Sequence, residues 1–196
     1  MAVSTEQARQ TYTIDPAHSR VGFTVRHMGF SKVRGSFEQF EGAVRMTPGA
    51  LSTLEAEATI QTRSITTNVK DRDEHLRSAD FFDVDTYPTI TFESTEVRDV
   101  SGNAFTLVGE LTIRGVTKTV ELAAEYLGEG TDPWGNTRVA FEARTTINRK
   151  DYGLTWNQVL ETGGVLVGEK VNISIEVQAV QEQEEVQAVQ EEDEAA

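Results

Sequence analysis

Apolar and polar residues alternate with a period of two through most of this chain, the mark of β-strands that bury one face. Val21, Phe23, Val25 and His27 fall on one side of the first clear run, with Gly22, Thr24 and Arg26 on the other. The same pattern separates Phe40, Gly42, Val44 and Met46 from Glu41, Ala43 and Arg45, and Leu54, Ala56, Ala58 and Ile60 from Glu55, Glu57 and Thr59. Later runs set Phe105, Leu107, Gly109, Leu111 and Ile113 on one face, then Val116, Val120, Leu122 and Ala124. Val139, Phe141, Ala143, Thr145 and Ile147 follow, and Val171, Ile173, Ile175 and Val177 close the series.

Turn-forming residues stand between these runs. Thr47-Pro48-Gly49, Ser101-Gly102-Asn103 and Arg114-Gly115 are short enough for hairpins, and Asp132-Pro133-Trp134-Gly135-Asn136 marks a longer turn. Many strands in succession, each with one apolar face, predict an all-β sandwich or barrel. A count of roughly eight or nine fits a barrel wide enough for one ligand. The alternation stops between Asn68 and Asp83. There Asn68 is placed to cap a short helix through Lys70–Arg77, with Asp71 in the capping-box position and Ser78 capping a second turn over Asp80-Phe81-Phe82. Such an insertion between strands would cover one end of a barrel.

Three stretches emerge: a flexible polar N-terminus over 1–10, a β-barrel over 11–180 and an acidic tail over 181–196, expected to be disordered or weakly helical. The tail repeats EVQAVQ, at Glu176–Gln181 and again at Glu185–Gln190, as a duplicated strand end. Its seven carboxylates supply half of the net charge of −14. An acidic body with an acidic tail argues against nucleic acid, which requires clustered Lys and Arg, and against anionic lipid surfaces. With no cysteine, there is no disulfide framework, thiolate nucleophile or Cys-based zinc site. Neither a transmembrane run nor a signal-peptide pattern appears, so the chain reads as cytoplasmic.

The search for chemistry is nearly empty. Gly163-Gly164-Val165-Leu166-Val167-Gly168 approaches a phosphate loop, but Glu169 stands where its lysine belongs. His18 follows Asp15 closely, His27 lies on an apolar strand face and His75 on the presumed lid helix, without tight metal-ligand spacing. A hydrogen-bonded structural His18 and a pocket-lining His27 are the simpler readings. Aromatic residues are spread over the fold and suit a filled core as well as a lined one. Small residues on the inward faces (Gly42, Ala56, Ala58, Gly109, Ala124 and Ala143) favour a hollow interior, because they remove volume where a filled barrel needs bulk.

Three segments carry a specific resemblance. They are Tyr12–Ser19 (YTIDPAHS) with Val21–His27, Asp73–Asp83 (DEHLRSADFFD) leading to Tyr87-Pro88, and Leu107–Lys118 (LVGELTIRGVTK). In order and spacing the chain resembles the YceI family over residues 11–180. The resemblance implies an extended eight-stranded, antiparallel, lipocalin-like β-barrel with a short helical insertion. It also implies non-enzymatic binding, transport or storage of a long-chain isoprenoid lipid, a polyprenyl phosphate or isoprenoid quinone, and a homodimer. No cofactor is expected beyond that lipid, and no metal. Phe23, Val25, Phe40, Val44, Phe105, Leu107, Leu111, Phe141 and Ile173 are the expected lining. His27, Arg34, Arg149 and Trp156 are the candidates to meet a head group at the mouth, since Arg suits phosphate and Trp a half-wet rim. Two other readings stay open. One is a small-molecule enzyme using His18, His27 and His75, and the other an interaction module acting through the acidic tail.

Overall fold

Between Ile113 and Val116 the chain reverses over Arg114 and Gly115, both with positive φ (51° and 72°). Two left-handed residues twist the turn in the same sense as the strands it joins, so the hairpin closes without splaying. Ser101-Gly102-Asn103 and Thr47-Pro48-Gly49 also fall at hairpin reversals, with Ser101 facing Ala104 and Thr47 facing Ala50. Asp132 closes the longer turn by accepting from the backbone N–H of Trp134 (3.0 Å) and of Asn136 (2.9 Å).

The computed structural model describes residues 8–161 and 163–182. Its strands are β1 (Gln10–Ile14), β2 (Arg20–His27), β3 (Ser31–Phe37), β4 (Phe40–Thr47), β5 (Ala50–Gln61), β6 (Ile65–Thr66), β7 (Thr89–Ser101), β8 (Ala104–Ile113), β9 (Val116–Thr131), β10 (Thr137–Asn148) and β11 (Val167–Gln181). One α-helix, α1 (Lys70–Arg77), lies between β6 and β7. Three pairs of segments are halves of broken strands. β1 and β2 both pair with β11, β4 pairs with β1 as β3 does with β2, and β5 and β6 pair in turn with β4 and β3. The chain is therefore an eight-stranded antiparallel meander, closed where Tyr12 faces Gln181 and Ile14 faces Ala179. Closure pairs the wall all round where β1 meets β11, whereas β6 and β3 from Ser31 to Gly35 have no strand on their second side among the described residues.

The breaks sit side by side. Asp15 caps a 3₁₀ turn at Pro16–His18 between β1 and β2, and a second 3₁₀ turn, Thr62–Ser64, separates β5 from β6. The gap between β3 and β4 is sewn to that second turn, with the Gln61 N–H donating to the Gln39 carbonyl (2.9 Å) and the Gln39 N–H to Ser64 Oγ (3.0 Å). Towards the β4–β5 hairpin the interior becomes tightly packed. Tyr12, Met46, Val139 and Ala179 are all but inaccessible, at 0–2 % exposure.

At the other end α1 and the turns that follow it cross the barrel mouth. The helix begins as expected but is not capped as expected. Asn68 adopts a left-handed φ of 61°, and Val69 occupies the cap position without a side-chain bond. The exposed N-terminus is tied instead from within, as the Asp73 carboxylate accepts from the Thr67 N–H (2.8 Å), the Thr67 hydroxyl (2.5 Å) and the Thr66 hydroxyl (3.2 Å). Asp71 takes no part in these cap bonds. Ser78 does cap the turn over Asp80-Phe81-Phe82, its hydroxyl accepting from the Asp80 N–H (3.4 Å) and its carbonyl from the Phe81 N–H (3.0 Å). The barrel's limits also move outward by one residue. Gln10 is already in β1 facing Met46, and Gln181 still in β11. The expected character of residues 1–7 and 183–196 lies outside the described residues.

Candidate functional site

Because inward faces alternate along every strand, their apolar side chains meet in one cavity above the solid floor. It offers about 250 Å³ to the centre of a water molecule, and the surface facing it is apolar. One water needs only roughly 10–15 Å³ on that measure, so this is no packing defect. Ten of the thirteen residues singled out in the sequence border it: Phe23, Val25, Phe40, Val44, Phe105, Leu107, Leu111, Phe141, Arg149 and Ile173. His27 ends β2 opposite Ser31, Arg34 projects to solvent from β3, and Trp156 packs at the covered end. These three are not among the residues that border the cavity.

The lid supplies lining that alternation could not reveal. Leu76 from α1 and Phe81 and Phe82 from the turns after it all face the cavity. Phe82 meets Phe37 edge-on at 5.8 Å, while Phe81 and the His75 ring both pack on Trp156 at 5.3 and 4.6 Å. Only the three aromatics or leucines in the otherwise polar stretch 70–83 hinted at this role. Of the small inward residues, Ala56, Ala58, Ala124 and Ala143 do border the void. Gly42 and Gly109 do not open it. A Cβ on Gly42 would meet the Glu57 carbonyl and the end of Ile14, and one on Gly109 would lie 2.5 Å from the Phe92 ring. These glycines admit a neighbour's side chain instead of leaving space.

The polar residues around the cavity are occupied in holding the fold. Arg149, 4 % exposed, donates through Nε to the Gly168 carbonyl (2.8 Å) and through its two terminal nitrogens to the carbonyls of Leu154 (2.5 Å), Trp156 (2.9 Å) and Val167 (3.2 Å). Burial lowers its pKa, and its nearest counter-charge is Glu169, itself bonded to Lys150. The guanidinium thus straps residues 154–168 to the end of β10, and its stem borders the cavity. Arg114 plays a like part, donating to the carbonyls of Gly153 (2.9 Å) and Ala79 (3.0 Å). Among the described residues no buried side-chain nitrogen or oxygen lacks a partner.

The histidines do not converge. His18 Nδ1 bonds Asp15 (2.7 Å) in the turn before β2, and His75 Nε2 bonds Asp80 (2.9 Å) on the lid. The seven steps of β2 from Arg20 to His27 alone span roughly 23 Å, which keeps His27 far from His18. Among the described residues no three of His, Asp or Glu come together as metal ligands. Asp15 also accepts from Arg138 (2.7 Å), which reaches on to Asp132 (2.9 Å). These bonds, Arg138 first and His18 second, hold the Asp15 carboxyl down at about 2.

A closed antiparallel barrel around an apolar chamber, with a lid across its mouth, defines a hollow-barrel architecture. The YceI-like domain family model matches residues 12–179, and the chain belongs to that family. A UPF0312 protein of Staphylococcus aureus is 43 % identical over 161 residues, 82 % of this chain and 91 % of that one. Among solved structures, BcnA of Burkholderia cenocepacia superposes with a TM-score of 0.74 at 25 % identity, over 85 % of this chain and 99 % of its own. A polyisoprenoid binding domain from Saccharophagus degradans shares the fold, with a TM-score of 0.64 at 16 % identity over 87 % and 98 % of the two chains. Among the described residues no helix is long and apolar enough to cross a membrane.

Proposed function

We propose that this protein binds a long-chain isoprenoid lipid in its apolar chamber, as a carrier or store, without chemical change to the ligand. The observation that carries the reading is the cavity itself. Left empty, a void of about 250 Å³ would forgo on the order of 6 kcal/mol at roughly 24 cal/mol per Å³. Filling it recovers about 0.8 kcal/mol for each methylene taken out of water, so several isoprene units suffice for firm binding once association costs are subtracted. A polyprenyl phosphate or an isoprenoid quinone suits that length. The S. degradans domain, which shares the fold, is described as binding polyisoprenoid.

Selection falls on the chain rather than the head. Phe23, Val25, Phe40, Val44, Phe105, Leu107, Leu111, Phe141 and Ile173 contact the tail, joined by Leu76, Phe81 and Phe82 of the lid. The head group stays towards water, where His27, Arg34 and Trp156 are the polar or amphipathic neighbours. Arg149 borders the cavity but has four donor bonds already committed to carbonyls.

Native mass spectrometry of gently purified full-length protein, followed by solvent extraction, is expected to release a lipid, and stripped protein to take up a polyprenol or isoprenoid quinone. Protein that arrives empty and takes up neither overturns the reading. Cytoplasmic residence and homodimer formation are separate expectations, checked by cell fractionation and by analytical ultracentrifugation.

A further inference from the structure

The hairpin of β2 and β3 breaks the charge pattern of the rest of the chain. From Pro16 to Phe37 there is no Asp or Glu, while Arg20, Arg26, Lys32 and Arg34 all fall there, in a protein of net charge −14. All four are exposed. Their even positions put them on the outer face, where Arg26 stands directly opposite Lys32 and Arg34 opposite Thr24. Like charges paired across a ladder weaken a hairpin, so fold stability does not account for this pair. Several cations elsewhere are neutralised, Arg9 by Glu55, Arg45 by Glu57, Arg98 by Glu121, Arg138 by Asp15 and Asp132, and Lys150 by Glu169, while others such as Arg77, Arg114 and Arg149 are tied to carbonyls. Among the described residues no carboxylate lies within ion-pair distance of Arg26, Lys32 or Arg34.

The hairpin tip is apolar. Met28 and Phe30 are 40 % and 73 % exposed, and the Met28 N–H donates to the Leu166 carbonyl (2.8 Å) of an adjoining loop. That loop presents Val159 and Val165, 79 % and 43 % exposed and bridged to each other. Half of the eight large apolar side chains exposed among the described residues therefore gather at one spot. The same strands carry the cavity wall, since Val25 of β2 and Val167 of β11 border the chamber and Val167 faces His27.

We infer that this hairpin tip and its neighbouring loop dock the protein on an anionic lipid bilayer, with Met28, Phe30, Val159 and Val165 entering the interface and Arg26, Lys32 and Arg34 meeting head-group phosphates. Exposed apolar side chains beside unpaired cations suit the boundary between head groups and acyl chains. A nucleic acid would use the cations but leave the apolar tip in water. The acidic remainder of the protein is repelled by the same surface, so docking is end-on and confined to this patch. Whole-chain charge, which argues against such a surface, hides the segregation. The inference deepens the carrier reading and rests on it for its purpose, because a carrier must meet the membrane that holds its ligand.

The test is flotation of full-length protein with phosphatidylcholine vesicles, with and without about one part in three phosphatidylglycerol, at low ionic strength. Recovery is expected only with the anionic vesicles and should fall as salt rises. Arg26→Glu, which replaces a like-charge pair by an opposite one and so favours the hairpin, is expected to weaken recovery by roughly tenfold or more. Phe30→Ser is expected to weaken it with no change in thermal midpoint. Equal binding to neutral vesicles, binding to neither, or full recovery of both variants overturns the inference. So does a protein dimer that Arg26→Glu dissociates while no vesicle is bound. Polyprenol uptake measured on the same samples separates the two readings. Flotation without uptake sinks the carrier and keeps the docking surface, and uptake without flotation does the reverse.

Discussion

The ring of Phe92 on β7 lies over Gly109 on β8, so close that a Cβ on the glycine would stand 2.5 Å from both the ring and the Glu93 carbonyl. Phe23 covers Gly35 on the neighbouring strand in the same way. An aromatic ring laid over a glycine covers bare backbone and turns the ring along the wall rather than across the chamber.

Gly109→Ala should therefore cost about 1–3 kcal/mol, since one of the atoms in the way is backbone and cannot swing aside. Gly130→Ala, where nothing lies within 4 Å of the added carbon and φ is not positive, is the control expected to change little. Chemical denaturation of the two variants checks the contrast.

Arg149→Met keeps the apolar stem but leaves the carbonyls of Leu154, Trp156, Val167 and Gly168 without their donor. Buried acceptors stripped of partners are expensive, and a loss of about 2–4 kcal/mol is expected. Hydrogen exchange should rise first across residues 154–168, the segment the guanidinium straps down.

Asp15 sets an acid limit. Its carboxyl titrates at about 2 in the folded chain, held down by Arg138 first and His18 second, against an ordinary value of 3.8. A depressed carboxylate contributes in full above its unfolded value and loses that contribution as pH falls from about 4 through 2. The amount is on the order of 1–2 kcal/mol. Arg138→Gln should lower stability at neutral pH and flatten the decline between pH ~4 and ~2. Thermal midpoints measured across that range would show it.

Ala56→Phe places a ring inside the chamber, where Ala56 now borders the void. Bound lipid recovered by extraction should fall several-fold while the thermal midpoint of delipidated protein holds or rises, because the ring fills empty space. An unchanged lipid yield would show that the ligand lies elsewhere.

The strands and their inward faces were legible because alternation is a direct imprint of a wall with one apolar side. His27, Gly42 and Gly109 show the limit of that signal, which gives a direction but not what lies opposite. His27 points with Val25 yet sits at the strand's end beside Ser31, and the two glycines admit a neighbour. The lid was legible as an interruption, but its cap was not. Asn68 has the composition of a cap, while the tie comes from Asp73 reaching back to Thr66 and Thr67, a local contact longer than the three-residue capping spacing. Several polar residues within the family-like segments hold the fold together. Asp15 clamps Arg138, Asp73 and Arg77 fasten α1 to the end of β6, and Arg114 pins the lid turns to Gly153. Such residues resemble catalytic ones in sequence because both are polar groups at fixed places.

The barrel divides labour along its length. Tyr12, Met46, Val139 and Ala179 make a fixed floor, so side chains around the chamber can change without loosening the whole. Substitutions at Leu76, Phe81 and Phe82 should therefore alter what the chamber accepts while leaving that base untouched.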